Sequence, residues 1–287
     1  MILYIEIKVT ILIEKKLILC IANKCFVKCP GCYHIFPKSS EEITNLKMVN
    51  FLDSAIENGL TKVTFAGGDP LTRQDIPELI EFCYNKQMKI NIDTVGTPLL
   101  KSCSTYDRQK DIEQIIDFTF LSKVNYIGIP LDGSSNETIQ LFRRGRKNFL
   151  EEQLDILSIL EKLEVNVCIN TVLHKGNIDD IDNIYDLISM FKNVKKWQIF
   201  EFMPIGDLGF IHKERYQIIN MDKTRIHNLL NLETDIEIEY KSSLERENSY
   251  MFINSIGEAY KIDIDNNVQV FGNVNDESSW EQIFSNM

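Results

Sequence analysis

The chain has 287 residues, of which 44% are hydrophobic and 25% are charged. That balance is typical of a folded globular protein with a large core, and it excludes a disordered or fibrous chain. The formal net charge of -11 argues against broad nucleic-acid binding, which needs a basic face, but allows one local basic pocket for an anionic small molecule.

The N-terminal segment 1–16 is apolar but carries charges at Glu6, Lys8 and the run Glu14–Lys16. These charges are incompatible with a signal peptide or a membrane span. Alternation within the segment predicts a strand or a hairpin extension. Without an export signal we expect a cytoplasmic protein whose thiols stay reduced.

From residue 17 onward, short apolar runs alternate with helical patterns. The first helix is predicted to open with a capping box, Ser39 with Glu42, and to stop at Gly59. The predicted strands are 17–22, 62–66, 89–94, 124–131, 165–172 and 197–203, and the predicted helices are 39–59, 75–86, 107–118, 135–143, 148–163 and 178–192.

Six strand–helix alternations predict a parallel sheet, and most strands look like apolar runs buried on both faces. We therefore expect an α/β fold, a partial (βα)6 barrel of the TIM type, over residues 17–209. Residues 210–287 are expected to form a small α+β extension that caps the barrel, with a helix at 222–231 and strands at 236–240, 249–254 and 258–264. The last two strands flank "SIG", which predicts a hairpin turn.

Three cysteines stand close together after the first strand, in the spacing Cys25-x3-Cys29-x2-Cys32. In a reducing compartment, clustered cysteines indicate metal binding or catalysis. A structural zinc ion would need a fourth ligand, for which His34 is a candidate. Three thiolates are also one short of the four that a closed cubane iron–sulfur cluster takes, which would leave one iron open. The other cysteines, Cys20, Cys83, Cys103 and Cys168, are predicted to be small core residues.

The cysteine triplet resembles the signature loop of the radical S-adenosylmethionine (SAM) superfamily, and "GGDP" (67–70) after the second strand resembles that family's GGEP turn. The resemblance covers roughly residues 17–205 and implies a [4Fe-4S] cluster on Cys25, Cys29 and Cys32. It further implies that SAM chelates the open iron and is cleaved by one-electron reduction. The resulting 5′-deoxyadenosyl radical then abstracts hydrogen from a substrate.

The same resemblance implies several SAM contacts. The glycine turn would approach the SAM methionine amino group, an aromatic residue after the last cysteine would lie near adenine, and Arg143 or Arg144 would reach the SAM carboxylate. The implied set is Tyr33, Gly67, Gly68, Asp69, Pro70, Arg144, Asn170 and Met203.

A narrower resemblance links five blocks of the chain to viperin-type nucleotide dehydratases. The blocks are "CYHIFPKS", "GRKN", "INTV", "WQIFEFMPIG" and "SYMFIN". This resemblance implies a small polar substrate, with a nucleoside triphosphate as first candidate. The candidate substrate-binding residues are His34, Lys38, Asp132, Arg146 and Lys147, and further candidate cations for a triphosphate are Arg144 and Lys175.

Two alternatives stay open. The first is radical SAM modification of a sugar, cyclitol or peptide; because no cysteine follows Cys168, the C-terminal extension holds no cysteine-ligated auxiliary cluster. The second is a non-enzymatic zinc protein. For the enzyme, the superfamily resemblance implies a flavodoxin- or ferredoxin-type electron donor as partner.

Overall fold

The computed structural model describes residues 14–38, 41–100, 117–219 and 223–287. Ten strands form one sheet in the order β10-β9-β8-β1-β2-β3-β4-β5-β6-β7. Their bounds are β1 Lys15–Ala22, β2 Leu60–Gly67, β3 Lys89–Asp93, β4 Tyr126–Pro130, β5 Val167–Leu173, β6 Val194–Glu201, β7 Glu237–Lys241, β8 Met251–Asn254, β9 Glu258–Ile262 and β10 Val268–Asn273.

All strand pairs from β8 through β1 to β7 are parallel, whereas β9 and β10 add antiparallel strands next to β8. Strands β7 and β10 are the two edges, so the sheet formed by the described strands is not closed into a barrel. The expected α/β fold with an open, parallel sheet is confirmed.

The helices connect the strands and cover one face of the sheet. They are α1 Asn45–Glu57, α2 Ile76–Asn85, α3 Asn136–Phe142, α4 Phe149–Lys162, α5 Ile181–Ile188, α6 Gly206–Ile211, α7 Lys213–Tyr216, α8 Thr224–Leu230 and α9 Trp280–Ser285. Apolar residues of α1, α2, α4 and α5 form one core with alternate residues of the strands, for example Phe51, Ile80 and Leu157 with Phe65 and Ile129. Within the described residues, no helix is both long and apolar enough to cross a membrane.

Strands β2, β3 and β6 are buried on one face only, which corrects the expectation for these strands, whereas β4 is buried on both faces from Ile127 to Pro130. In β2, buried Val63 and Phe65 alternate with half-buried Lys62 and Thr64, and the same period of two recurs in β3. The face that carries no helix core, here called the inner face, is therefore polar and reached by solvent. The sequence already contained this alternation within "KVTFA" and "KINID".

The predicted start of the first helix was wrong. Helix α1 begins at Asn45, and its N-cap is Thr44, whose Oγ1 accepts the backbone N–H of Lys47. Glu42 instead accepts the backbone N–H of Asn23 at 2.9 Å. Ser39, segment 1–13 of the predicted N-terminal extension, Cys103 and residues 107–116 of one predicted helix lie outside the described residues.

The C-terminal segment extends the sheet at both edges. Strand β7 pairs with β6, while β8 pairs with β1 on the other side and forms the predicted hairpin with β9. Strand β10 and helix α9 did not appear among the predicted elements. The domain boundaries at 16/17 and 209/210 stay predictions.

Candidate active site

The cysteine loop follows the C-terminal end of β1. Parallel α/β sheets bind their ligands at the carboxyl ends of the strands. Cys25, Cys29 and Cys32 are partly buried thiols that form no disulfide within the described residues. Each faces one N–H donor: the backbone N–H of Val27 for Cys25, Nη1 of Arg143 at 3.8 Å for Cys29, and the backbone N–H of His34 for Cys32. Such donors stabilise thiolate sulfur, and they tune the potential of an iron–sulfur cluster.

The loop is held by the chain segments that follow β2, β4 and β6. Residue 28 pairs with Arg144 through two backbone hydrogen bonds, Lys28 N–H to the Arg144 carbonyl at 2.7 Å and the reverse bond at 2.9 Å. Gly209 of α6 donates its N–H to the Cys32 carbonyl at 3.1 Å. Segments that follow several different strands therefore hold the three thiols in position.

The "GGDP" turn packs directly on the start of this loop. Gly68 donates its N–H to the Ala22 carbonyl at 2.6 Å, and Asp69 donates to the Lys24 carbonyl at 2.7 Å. A Cβ on Gly68 would overlap the Lys24 carbonyl, and one on Gly67, whose φ is +127°, would lie 2.8 Å from the Ala22 oxygen. The two glycines are thus required by the chain's own backbone; their contact with SAM stays a prediction.

The Asp69 side chain organises the turn from inside. It is fully buried, and its carboxylate accepts the N–H of Leu71 at 2.9 Å, the N–H of Val95 at 2.7 Å and the hydroxyl of Thr94 at 2.8 Å. Burial raises the pKa of Asp69 to about 6, against the effect of these hydrogen bonds. Asp69 thereby ties the turn, which continues through buried Pro70, to the end of β3; its predicted SAM contact is untested.

Arg143, rather than Arg144, brings its side chain to the cysteine loop. Arg143 forms an ion pair with Asp132, which is fully buried and also accepts the N–H of Val172 at 2.7 Å. Burial opposes the charge on Arg143, but the Asp132 carboxylate outweighs it and raises the pKa of the guanidinium. Arg144 is exposed and contributes its backbone to the loop, and its predicted SAM contact stays a prediction.

Replacing Asp132 by Asn is expected to lower the free energy of unfolding by about 3 kcal/mol, because the Arg143 charge would stay buried without its partner. Urea denaturation measures the change. The matched control is Asp53→Asn, which breaks the exposed Asp53–Lys86 pair and is expected to cost less than about 1 kcal/mol. Equal losses for the two variants would contradict the assigned role of the buried pair.

Tyr33 and Met203 both lie near Phe252. Tyr33 is 39% exposed, but its hydroxyl reaches the Cys20 thiol and its ring lies 6.0 Å from that of Phe252. Met203 is buried in the apolar group that contains Cys20 and Phe252. Gly206, at φ +75°, packs against the Tyr33 carbonyl, where no Cβ would fit. The predicted adenine-side residues are therefore neighbours of the cysteine loop.

Asn170 lies on the inner face and donates its side-chain N–H to Asp93 at 2.9 Å. The contact spans β4 between their strands, and a Cβ on Gly128 would lie 2.5 Å from the Asn170 Nδ2. Sequence reasoning missed Asp93, although its place at the end of a predicted strand, among alternating polar residues, was a usable signal.

Stability should fall as pH rises through the titration range of Asp93. Burial raises the pKa of Asp93 to about 6 from an ordinary 3.8, so between these values the folded state holds a proton that the unfolded chain has released. The free energy of unfolding is expected to decrease by at most about 3 kcal/mol over this range relative to Asp93→Asn.

Urea denaturation of both proteins from pH 4 to pH 7 measures this decrease. The exposed variant Asp186→Asn serves as the control and is expected to keep the wild-type profile. If the difference in the free energy of unfolding between wild type and Asp93→Asn did not change with pH, the assigned burial of the carboxyl group would be contradicted.

The remaining candidates do not gather at one place in the contacts observed. The His34 ring is fully buried and packs edge-on against Phe36 at 4.4 Å, and burial lowers its pKa to about 4. Lys38 and Lys147 are exposed. Arg146 pairs with Glu152, and Lys175 donates to the Glu214 carbonyl. The predicted triphosphate cations are thus engaged in other contacts or face solvent.

The donor set fits an iron–sulfur cluster. Thiolates are the usual protein ligands of such clusters, and each binds a different iron, whereas a zinc ion needs ligands that converge on one point. Among the described residues, no three His, Cys, Asp or Glu side chains converge in that way. Burial raises the pKa of the three thiols, that of Cys29 to about 12, and bound iron would remove these protons.

The sequence model of the radical SAM superfamily matches residues 19–188. This match covers more than half of the chain, so the chain belongs to the radical SAM superfamily. It is therefore an enzyme of the class that uses a [4Fe-4S] cluster and SAM, and the membership supports SAM-cleaving radical chemistry.

Solved structures share the fold at low identity. Streptococcus suis SuiB bound to its precursor peptide SuiA is 14% identical with a TM-score of 0.68, and the match covers 94% of this chain and 64% of SuiB. The anSMEcpe structure with bound AdoMet and Kp18Cys peptide is 18% identical with a TM-score of 0.65, covering 94% of this chain and 80% of that protein. The chain thus spans less than two thirds of the length of SuiB.

Proposed function

We propose that Cys25, Cys29 and Cys32 hold the [4Fe-4S] cluster of this enzyme, and that the open iron faces a SAM site between the cysteine loop and the inner face. When bound, the two groups supply reductive cleavage of SAM and hydrogen abstraction by the 5′-deoxyadenosyl radical. The observation that carries the proposal is the loop itself, with three partly buried thiols that each face an N–H donor.

The chain's own residues position these groups. The glycine turn fixes the position of the cysteine loop at the end of β2; it consists of Gly67, Gly68, Asp69 and Pro70. We propose that this turn contacts the methionine group of SAM. Arg143, held by Asp132, takes the role first considered for Arg144, because its charge is directed at the loop.

The SAM contacts farther from the glycine turn are also part of the proposal. Tyr33 and Met203 would lie on the adenine side, and Asn170 would face the ribose or the substrate. The apolar group around Met203 would keep water away from the reacting centre.

The substrate proposal is a small polar molecule bound on the inner face. A nucleoside triphosphate is supported by the sequence blocks alone, since the cations predicted for it make other contacts. A peptide is supported by the fold of SuiB and anSMEcpe, whose structures contain peptides. A sugar or cyclitol is the third candidate substrate class. We propose a flavodoxin- or ferredoxin-type protein as the electron donor.

Anaerobic turnover of the reconstituted, reduced enzyme with SAM tests the proposal. We expect 5′-deoxyadenosine to form, and its rate to rise with one of three substrate panels: nucleoside triphosphates, sugars and cyclitols, or short peptides. The variant Cys29→Ala is the blank. Formation of 5′-deoxyadenosine no faster than in this blank would overturn the proposed function.

A further inference from the structure

The inner face carries a group of lysines that the proposed function does not yet use. Lys16 of β1, Lys62 of β2 and Lys241 of β7 all belong to half-buried positions, and Lys241 is 29% exposed. Strand β7 is an edge strand, five places from β2 in the sheet. Register nevertheless puts these side chains on one side of the sheet, since Lys16 is the cross-strand partner of Lys62, and Lys241 that of Phe200, whose half-buried position belongs to the inner face of β6. Burial and the charges of Lys241 and Lys62 lower the pKa of Lys16, whereas the charges of Glu14 and Glu239 act to raise it.

Two of these ammonium groups lack a carboxylate partner in the described part of the chain. Lys16 and Lys62 form no ion pair there, and the Lys16 Nζ lies over the Tyr250 ring at 4.8 Å. Lys241 lies 3.2 Å from Glu239, which it shares with Lys196 at 2.5 Å. Gathering cations is unfavourable without a full counter-charge, and Glu14 and Glu239 offset these charges only in part, since the pKa of Lys16 stays lowered.

Asp93 supplies a carboxyl group on the same face as the lysines. Asp93 lies on the same face as Lys62, since Lys62 pairs with Lys89 and Thr64 with Asn91, and Asp93 continues this alternation along β3. The charges of Lys241 and Lys62 also act on Asp93. Asp93 Oδ1 accepts from Asn170, and the other carboxylate oxygen has no hydrogen bond among the contacts described. An oxygen in this position suits a hydroxyl or ammonium donor.

From this arrangement we infer that the substrate carries an anionic group, a carboxylate or a phosphate, bound by Lys16, Lys62 and Lys241, and a hydroxyl or ammonium group bound by Asp93. The inference rests on the proposed function, because it deepens the substrate class of the same site. The site lies on the inner face below Tyr33, whose hydroxyl is also close enough for Asp93 to influence its pKa. The substrate would therefore be held beneath the cysteine loop.

Calorimetric titration of the reconstituted enzyme with SAM tests the inference, with inorganic phosphate and succinate as the two probes. We expect one probe to bind wild type, and the probe that binds identifies the anion as phosphate or carboxylate. In Lys62→Gln and in Lys241→Gln its dissociation constant should rise at least about 10-fold, or about 1.4 kcal/mol. Lys62→Arg keeps the charge and should stay within about 3-fold of wild type.

The matched control is Lys192→Gln, an exposed lysine away from the inner face, which should bind as wild type does. Failure of both probes to bind wild type, or equal binding by the Gln variants, would overturn the inference. An EPR spectrum of each sample with and without SAM separates the two proposals. A spectrum that responds to SAM while the probes fail overturns the inference alone, and a spectrum indifferent to SAM overturns the proposed function.

Discussion

Replacing Cys25, Cys29 or Cys32 by serine is expected to abolish cluster assembly and to reduce 5′-deoxyadenosine formation by at least about 100-fold, more than the loss of an outer-shell partner causes. A serine hydroxyl is a harder and less readily ionised ligand than a thiolate, so it binds cluster iron weakly. Iron and sulfide analysis after anaerobic reconstitution measures assembly, and chromatography of the quenched reaction measures the product.

The control for these variants is Cys83→Ala, in which a buried core cysteine of α2 is replaced. It is expected to keep wild-type iron and sulfide, and to lose about 1 kcal/mol of stability through the lost packing. A serine variant of the loop that retained wild-type iron, sulfide and product formation would show that the cysteine it lacks is not a cluster ligand.

The second large effect is expected from Gly68→Ala. The new Cβ would overlap the Lys24 carbonyl, so either the turn or the loop must move. Lys24 directly precedes Cys25, and a displacement there shifts the first thiol. We expect a stability loss of about 1–3 kcal/mol from overpacking and a loss of activity on the order of 100-fold from misplacement.

Gly209→Ala is the matched control for this variant, because it also faces the cysteine loop. Its Cβ would lie 3.3 Å from the Cys32 carbonyl oxygen, and its other neighbours are at 3.5 Å or more. It lies inside α6, where alanine is favoured over glycine by about 1 kcal/mol. We expect near-wild-type stability and activity; losses equal to those of Gly68→Ala would contradict the steric explanation.

The sequence predicted the order of the central elements well, because each alternation carries its own local signal. The apolar periodicity of α4 and the strand at β5 came within two residues of their observed bounds. The cysteine loop and the glycine turn were found for the same reason, since both are contiguous motifs. Helix α1 was placed too early because Ser39 and Glu42 imitate a capping box, whereas Thr44 makes the observed cap.

Contacts between distant segments were beyond the reach of the sequence. The Arg143 side chain reaches Cys29, whereas Arg144 pairs its backbone with Lys28, and neither contact can be read from the sequence. Likewise, Asp93, Lys62 and Lys241 come from three separate strands, and only the register between strands places them on one face of the sheet. Pairing of β8 with β1 is a contact across more than 230 residues, which no local pattern encodes.

The position of the cysteine loop explains why the inner face of the sheet is polar. The helix side supplies the apolar core, so the other face of β2 to β7 is available for binding. Placing the thiols at the C-terminal end of β1 puts the proposed cluster above that face. Substrate recognition and radical generation are thereby assigned to adjacent parts of one sheet.

The central claim is that the cysteine loop holds a cluster with an iron open to SAM. Low-temperature EPR of anaerobically reconstituted, dithionite-reduced protein, recorded with and without SAM, tests it most directly. We expect a [4Fe-4S]+ signal whose shape changes when SAM is added. A reconstituted protein without a cluster signal, or with a signal that SAM leaves unchanged, would contradict the claim.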